Sequence, residues 1–173
     1  MAASRPDLKI EALASHHDRD GFSCGVDSLD RYLRTQASQD VRRKANGVFI
    51  LVEPDKPDVA LGYYTLCATG VAQGDVPAAA RKHIPRYPLV SATLVGRLAV
   101  SETRQGERLG AMLLADAVQR AYASAATVGS SMLVVDAISE RAAAFYEGNG
   151  FVRLPDSLRL VLPMQAIQRL VEP

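Results

Sequence analysis

With 173 residues, 48% of them apolar and 23% charged, the chain has the length and balance of one ordinary soluble domain with a substantial buried core. A net charge of +1 and the lack of any apolar run near the ~18 residues of a bilayer span exclude a membrane protein. Met1–Ile10 lacks the apolar core of an export signal, so the expected location is cytoplasmic, with no membrane partner. Cys24 and Cys67 lie in separate segments without metal-ligand spacing and read as reduced, partly buried thiols. There are three histidines, two of them adjacent as His16 and His17, which argues against a His-based triad or metal site; no metal is expected.

In chain order, Asp27-Ser28-Leu29-Asp30 opens a helix, with Leu29, Tyr32, Leu33 and Gln36 spaced at i, i+3, i+4 and i+7. Val48–Val52 and Ala60–Thr69 are β-rich and separated by Pro54, Asp55 and Pro57, which predicts a hairpin. Residues 70–92 carry Gly70, Gly74, Pro77, Pro85 and Pro88 and read as irregular, with one short helical turn at 78–83. Thr93–Ser101 is the next strand, followed by a loop at Glu102–Glu107 and an amphipathic helix from Arg108 to Ala123. Met132–Ile138 is a continuous apolar run of the buried-strand kind. Glu140–Glu147 is a short helix ended by Gly148-Asn149-Gly150, Leu158–Leu162 is a last strand, and Gln165–Leu170 a terminal helix. The order predicts an α/β (α+β) fold on a mixed sheet, one domain over residues 1–173.

The charges are unevenly placed. Arg31, Arg34, Arg42, Arg43 and Lys44 face only Asp40 within residues 31–50, and Arg81, Lys82, Arg86, Arg97, Arg104 and Arg108 make a second basic run. Both a solvated face and a polyanion-binding surface fit that pattern.

The chemistry-bearing segment is Arg97–Ala111, where a strand runs through a glycine-containing loop into a helix. Free N–H groups and the dipole at such a helix start favour an anion, with Gly106 and Gly110 admitting it closely and Arg104 and Arg108 adding countercharge. No GxxxxGK[ST] or GxGxxG is present, so the nucleotide-binding loops of those types are excluded. From these residues alone, an anion cradle and an ordinary strand-to-helix turn are both open.

The segment resembles the acetyl-CoA motif of the GNAT superfamily of N-acetyltransferases, [RQ]-x-x-G-x-[GA], with Gln105 opening it, Gly110 closing it and Arg108 standing where the middle glycine belongs. The resemblance implies cofactor contacts from the main chain of Leu98, Ala99 and Val100, and from Arg104, Gln105, Gly106, Glu107, Arg108, Leu109, Gly110 and Ala111. Ala144-Phe145-Tyr146-Glu147-Gly148-Asn149-Gly150-Phe151 resembles the closing motif of that superfamily, which makes Tyr146 the implied general acid for the departing thiolate; the plain alternative is an aromatic pair packing a short helix. Ser139 at the start of that helix reads as its cap.

Phe22-Ser23-Cys24-Gly25 through Leu29-Asp30-Arg31-Tyr32-Leu33, with Gly96–Val100 and Pro85–Pro88, further resembles the GNAT toxins of bacterial toxin–antitoxin pairs, the TacT, AtaT and KacT type, over residues 8–163. That resemblance implies acetyl-CoA as co-substrate and the α-amine of aminoacyl-tRNA as acceptor, with translation blocked as the outcome. It also implies a homodimer and a ribbon-helix-helix antitoxin partner. Arg97, Arg42, Arg43, Lys44 and Arg86 then become candidate tRNA contacts, with Arg97 alternatively serving a structural salt bridge. Other functions compatible with the motifs are acetylation of a small amine or protein N-terminus, and non-catalytic acyl-CoA binding.

Overall fold

The computed structural model describes residues 7–171, with side chains through residue 169. The part of the Met1–Ile10 reading before Asp7 lies outside the described residues. No helix among them is long and apolar enough to cross a membrane.

The elements run β1 (Lys9–Ala12), α1 (Asp27–Thr35), α2 (Ala37–Arg42), β2 (Gly47–Val52), β3 (Gly62–Ala72), α3 (Ala78–Arg81), β4 (Leu89–Val100), α4 (Leu109–Val128), β5 (Met132–Asp136), α5 (Glu140–Gly148), β6 (Val152–Arg153), β7 (Arg159–Pro163) and α6 (Met164–Val171). Strand order is β1-β2-β3-β4-β5-β7-β6. β4 and β5 pair in parallel, whereas β1–β2, β2–β3, β5–β7 and β6–β7 are antiparallel, so the sheet is mixed as expected.

The chain divides into two compact units, Met1–Leu66 with Arg97–Ala117, and Cys67–Gly96 with Val118–Pro173. The first is built on a core of Phe22, Tyr32, Leu33, Val48, Ile50, Tyr63 and Ala99. Alternation along β2 and the i, i+3, i+4 spacing of α1 turn these side chains to one interior. Within it Gly62 is irreplaceable on contact grounds, because a Cβ there would stand 2.7 Å from the Ala99 carbonyl oxygen and 2.9 Å from Leu113 Cδ1. The second unit has its own core of Val71, Val76, Ala80, Ile84, Val90, Ala92, Met132, Val134, Leu154 and Val161.

Several boundaries differ from the sequence expectation for identifiable reasons. β4 begins at Leu89, four residues before Thr93, since Pro88 fixes an extended entry and buried Val90 and Ala92 continue into the ladder with β5. α4 continues to Val128 through the alanine-rich Ala123–Ala126, and stops where Gly129 turns left-handed (φ +72°) and donates its N–H to the Ala125 carbonyl. β1 and β6 are strands of four and two residues, too short to leave a period in the sequence. At the end of α5 the left-handed residue is Gly150 (φ +94°).

Candidate functional site: a strand–loop–helix cradle and a buried phenol

The first unit carries the predicted cofactor segment. Leu98, Ala99 and Val100 end β4, Arg104 to Arg108 form the loop, and Leu109, Gly110 and Ala111 begin the first turn of α4. The loop is fastened to residues 22–25. Glu102 N–H donates to the Ser23 carbonyl at 2.8 Å, Ser23 Oγ donates to Glu102 Oε2 at 3.0 Å, and Gln105 Nε2 donates to the Cys24 carbonyl at 3.2 Å. Cys24 is held in turn by its N–H on Asp30 Oδ1 at 2.9 Å, and Gly25 is left-handed with Glu102 3.0 Å from where its Cβ would stand. The Cys-Gly and Leu-Asp pairs of the N-terminal motif are thus the mooring of the loop.

Two loop residues have positive φ, Gly106 at +84° and Arg108 at +62°. Arg108, which replaces the motif glycine, keeps the glycine-like backbone despite its side chain. A Cβ on Gly106 would meet open space, so glycine is required there by conformation alone. With the first-turn amides of α4 directly following, this backbone suits an anionic group such as a pyrophosphate. Exposed Arg108 makes no side-chain hydrogen bond or ion pair among the described residues, leaving its guanidinium available to that group. Arg104 differs: its Nε donates to Glu107 Oε2 at 2.7 Å and its Nη1 to Glu53, and these two carboxylates hold its charge firmly in place. One guanidinium against two carboxylates leaves no spare positive charge, so Arg104 shapes the loop.

Arg97, one strand residue before Leu98, lies with its guanidinium carbon 3.6 Å from the centroid of the Tyr32 ring. It forms no salt bridge among the described residues. Arg42 ends α2, Arg43 caps it, and Lys44 follows in a left-handed conformation (φ +60°). All three are exposed; with the Gln39 amide oxygen turned toward it, Arg43 donates to Gln39 at 2.9 and 3.0 Å, while Arg42 and Lys44 have no side-chain partner among the described residues. The sequence did not single out Tyr32, Asp40 or Glu53 as parts of a site. Tyr32 reads there as a core position of α1 and as part of the N-terminal motif, Asp40 as the one acid of a basic stretch, and Glu53 pairs with an arginine remote in sequence.

The second unit carries Tyr146 and Arg86. Tyr146 sits on α5, whose start is capped by Ser139 Oγ accepting the Ala142 N–H at 3.1 Å. A bidentate pair from Arg153 to Glu140, both bonds 2.7 Å, ties that helix to β6. The Tyr146 ring is 7% exposed and meets Phe145 and Phe151 edge-on at 5.2 and 5.7 Å. Burial pushes its hydroxyl up to about 12, so it is a phenol at any physiological pH, and it bonds to none of the described residues. The aromatic pair packs the helix and fixes the Tyr146 ring between Phe145 and Phe151. Arg86 lines a pocket of about 490 Å³ with Gln73, Ala78, Arg81, Lys82 and Ile84. Arg81 is anchored there on the Val76 carbonyl, at 2.8 Å from Nη2.

The Cys24 thiol is a poor nucleophile, because burial, then Asp30, pushes it up to about 11. Glu11, His16 and His17 do converge, but His17 Nδ1 accepts the Ala14 N–H at 2.9 Å while Nε2 faces Glu11 Oε1 at 2.8 Å. In that tautomer Nε2 carries the proton, and the lone pair a metal needs is already engaged.

No protein-family model matches the chain. It is 34% identical over 155 residues to a tRNA-acetylating toxin of Mycobacterium tuberculosis strain H37Rv, covering 89% of this chain and 90% of that one. Among solved structures it matches AtaT complexed with acetyl-methionyl-tRNAfMet with a TM-score of 0.87 and 32% identity, over 95% of this chain and 99% of the other. It also matches a tyrosine-to-phenylalanine variant of AtaT bound to acetyl-CoA and the C-terminus of the antitoxin AtaR, with a TM-score of 0.81 and 30% identity over 96% and 99%. The chain accordingly belongs to the GNAT toxins of the TacT, AtaT and KacT type and is an acetyl-CoA-dependent N-acetyltransferase.

Proposed function

We propose that this enzyme transfers acetyl from acetyl-CoA to the α-amine of aminoacyl-tRNA by direct attack, with Tyr146 as general acid. The observation that carries the reading is the backbone of the β4–α4 loop, left-handed at both Gly106 and Arg108 in a chain of this family. Acetyl-CoA supplies an activated acetyl thioester. The loop amides and the first turn of α4 hold its phosphates, and the main-chain N–H groups of Leu98–Val100 orient the carbonyl and stabilise the charge that develops on its oxygen. The α-amine of an aminoacyl ester has a substantial neutral fraction near pH 7, so it attacks without a strong base and releases its proton to water. As the C–S bond breaks, the Tyr146 Oη proton passes to the sulfur. Neither cysteine takes part, consistent with the raised Cys24 thiol.

The same reading places the protein in the cytoplasm as a homodimer, silenced by a ribbon-helix-helix antitoxin, with Arg97, Arg42, Arg43, Lys44 and Arg86 on tRNA phosphates. AtaT bound to acetyl-methionyl-tRNA and to its antitoxin segment supports it. A Tyr146→Phe variant, assayed for thiol release with charged tRNA, keeps acetyl-CoA affinity and loses about 10²–10³-fold in turnover, the usual worth of a positioned proton donor. Unchanged turnover would remove Tyr146 from the chemistry. Faster release with a small amine or an N-terminal peptide than with charged tRNA would move the acceptor to that class.

A further inference from the structure

We infer that Tyr32 is a positioning residue, locked by Asp40, that holds Arg97 flat as a phosphate receptor for the nucleic-acid substrate. The inference rests on the reading that the acceptor is aminoacyl-tRNA. Tyr32 is 6% exposed and stacks on Tyr63 at 6.4 Å with the rings 16° from parallel, while Tyr63 is itself pinned by its hydroxyl on the Leu29 carbonyl at 2.6 Å. The Tyr32 hydroxyl donates to Asp40 Oδ2 at 2.8 Å. Asp40 is also held by Asn46 Nδ2 on the same oxygen at 3.0 Å and by Gln36 Nε2 on Oδ1 at 2.9 Å. Three donors therefore occupy this carboxylate, and it forms no ion pair with Arg97.

The guanidinium is half-buried, stacked on a fixed ring and matched by no carboxylate within ion-pair distance among the described residues. A cation desolvated on one face and left with all its N–H donors unspent is poorly placed for stability alone. It is well placed for an anion, because stacking fixes the plane of the fork and lowers the ordering cost of a bidentate phosphate contact. The surroundings favour an extended polyanion over a single pyrophosphate. Arg34, Arg42 and Lys44 on the same two-helix segment are exposed and form no ion pair among the described residues. The cradle at residues 104–111 already provides for the co-substrate's phosphates.

Steady-state acetylation of charged tRNA tests this, with acetyl-CoA affinity measured in parallel. Arg97→Gln is expected to raise KM for charged tRNA about tenfold and to flatten the log KM against log salt slope by about 0.7–0.9, one phosphate contact, with kcat and acetyl-CoA affinity within about twofold. Tyr32→Leu moves KM the same way, and Tyr32→Phe, which keeps the ring but loses the Asp40 bond, raises KM by less. An unmoved KM in Arg97→Gln overturns the inference, and so does a loss of acetyl-CoA affinity in its place, which would put Arg97 on the co-substrate. A rise in KM in Tyr32→Phe equal to that in Tyr32→Leu would overturn the positioning role of the ring, and no rise at all would overturn the Asp40 lock. Wild-type protein releasing no thiol with charged tRNA overturns the acceptor reading itself, a result distinct from an active wild type with an indifferent Arg97.

Discussion

Arg104 and Arg97 stand in the same unit, on either side of the end of β4, and their surroundings are opposite. Arg104 is gripped by Glu53 and Glu107, whereas Arg97 rests on the Tyr32 ring and makes no ion pair among the described residues. The same contrast extends to their regions. The β4–α4 loop is tied down by hydrogen bonds to Ser23 and Cys24, and the α1–α2 segment presents Arg34, Arg42 and Lys44 without side-chain partners among the described residues. An ion pair satisfied inside the chain sets shape and leaves little charge to offer. Cations left unmatched create a field whose only partners come from outside. Under the proposed function we infer that geometry in one region serves the co-substrate and charge in the other serves the acceptor.

Removing the charge of the α2 end should give the largest effect on that division. With Arg42→Gln and Lys44→Gln combined, KM for charged tRNA rises at least about tenfold at low salt, and the log–log salt slope flattens by about 1.4–1.8. Acetyl-CoA affinity stays put. A KM that ignores both substitutions would make this a merely solvated face and dissolve the contrast.

The converse variant strikes the other region. In Glu53→Gln the Arg104 guanidinium keeps Glu107 but loses a partner in a pair whose side chains are only 18–23% exposed. The cost is about 1 kcal/mol, a drop in Tm of roughly 2–4 °C for a chain of this size, read by thermal unfolding. Acetyl-CoA binding weakens about threefold as the loop loosens, and KM for charged tRNA does not move. A variant that instead gained tRNA affinity would show that Arg104 is held back from the acceptor by Glu53.

How far these regions were legible in the sequence follows from what each depends on. The cradle depends on local order, a strand, two left-handed residues and a helix start, and that order is written in consecutive residues from Leu98 to Ala111. Tyr146 was legible for the same reason, lying in one short motif on one short helix. The Arg97–Tyr32 stack was not, because Arg97 meets Tyr32 only after β4 is brought against α1, and no local period encodes a stacking partner 65 positions away. Glu53 was hidden likewise, 51 positions from Arg104. In the fold, the long periodic helices and apolar strands were visible, while β1 and β6 owe their existence to neighbouring strands that supply the ladder. The prolines that suggested an irregular stretch to residue 92 were in part the entry to β4.

The smallest expected effect tests the loop's departure from its motif. A non-glycine residue at φ +62° bears about 1 kcal/mol of backbone strain, and Arg108→Gly relieves it while granting the unfolded chain a similar entropy, so stability changes by less than about 0.5 kcal/mol. The variant also deletes one exposed guanidinium. If the backbone is what cradles the pyrophosphate, acetyl-CoA binding weakens only about threefold at low salt, and the difference closes as salt screens the lost charge. Arg108→Ala separates the two contributions, since it deletes the same charge but retains the strained φ. It should match Arg108→Gly in affinity and lie within about 2 °C of it in Tm. An affinity loss tenfold or greater that persists at high salt would mean that this loop grips the pyrophosphate with a side chain where its relatives' motif relies on glycine.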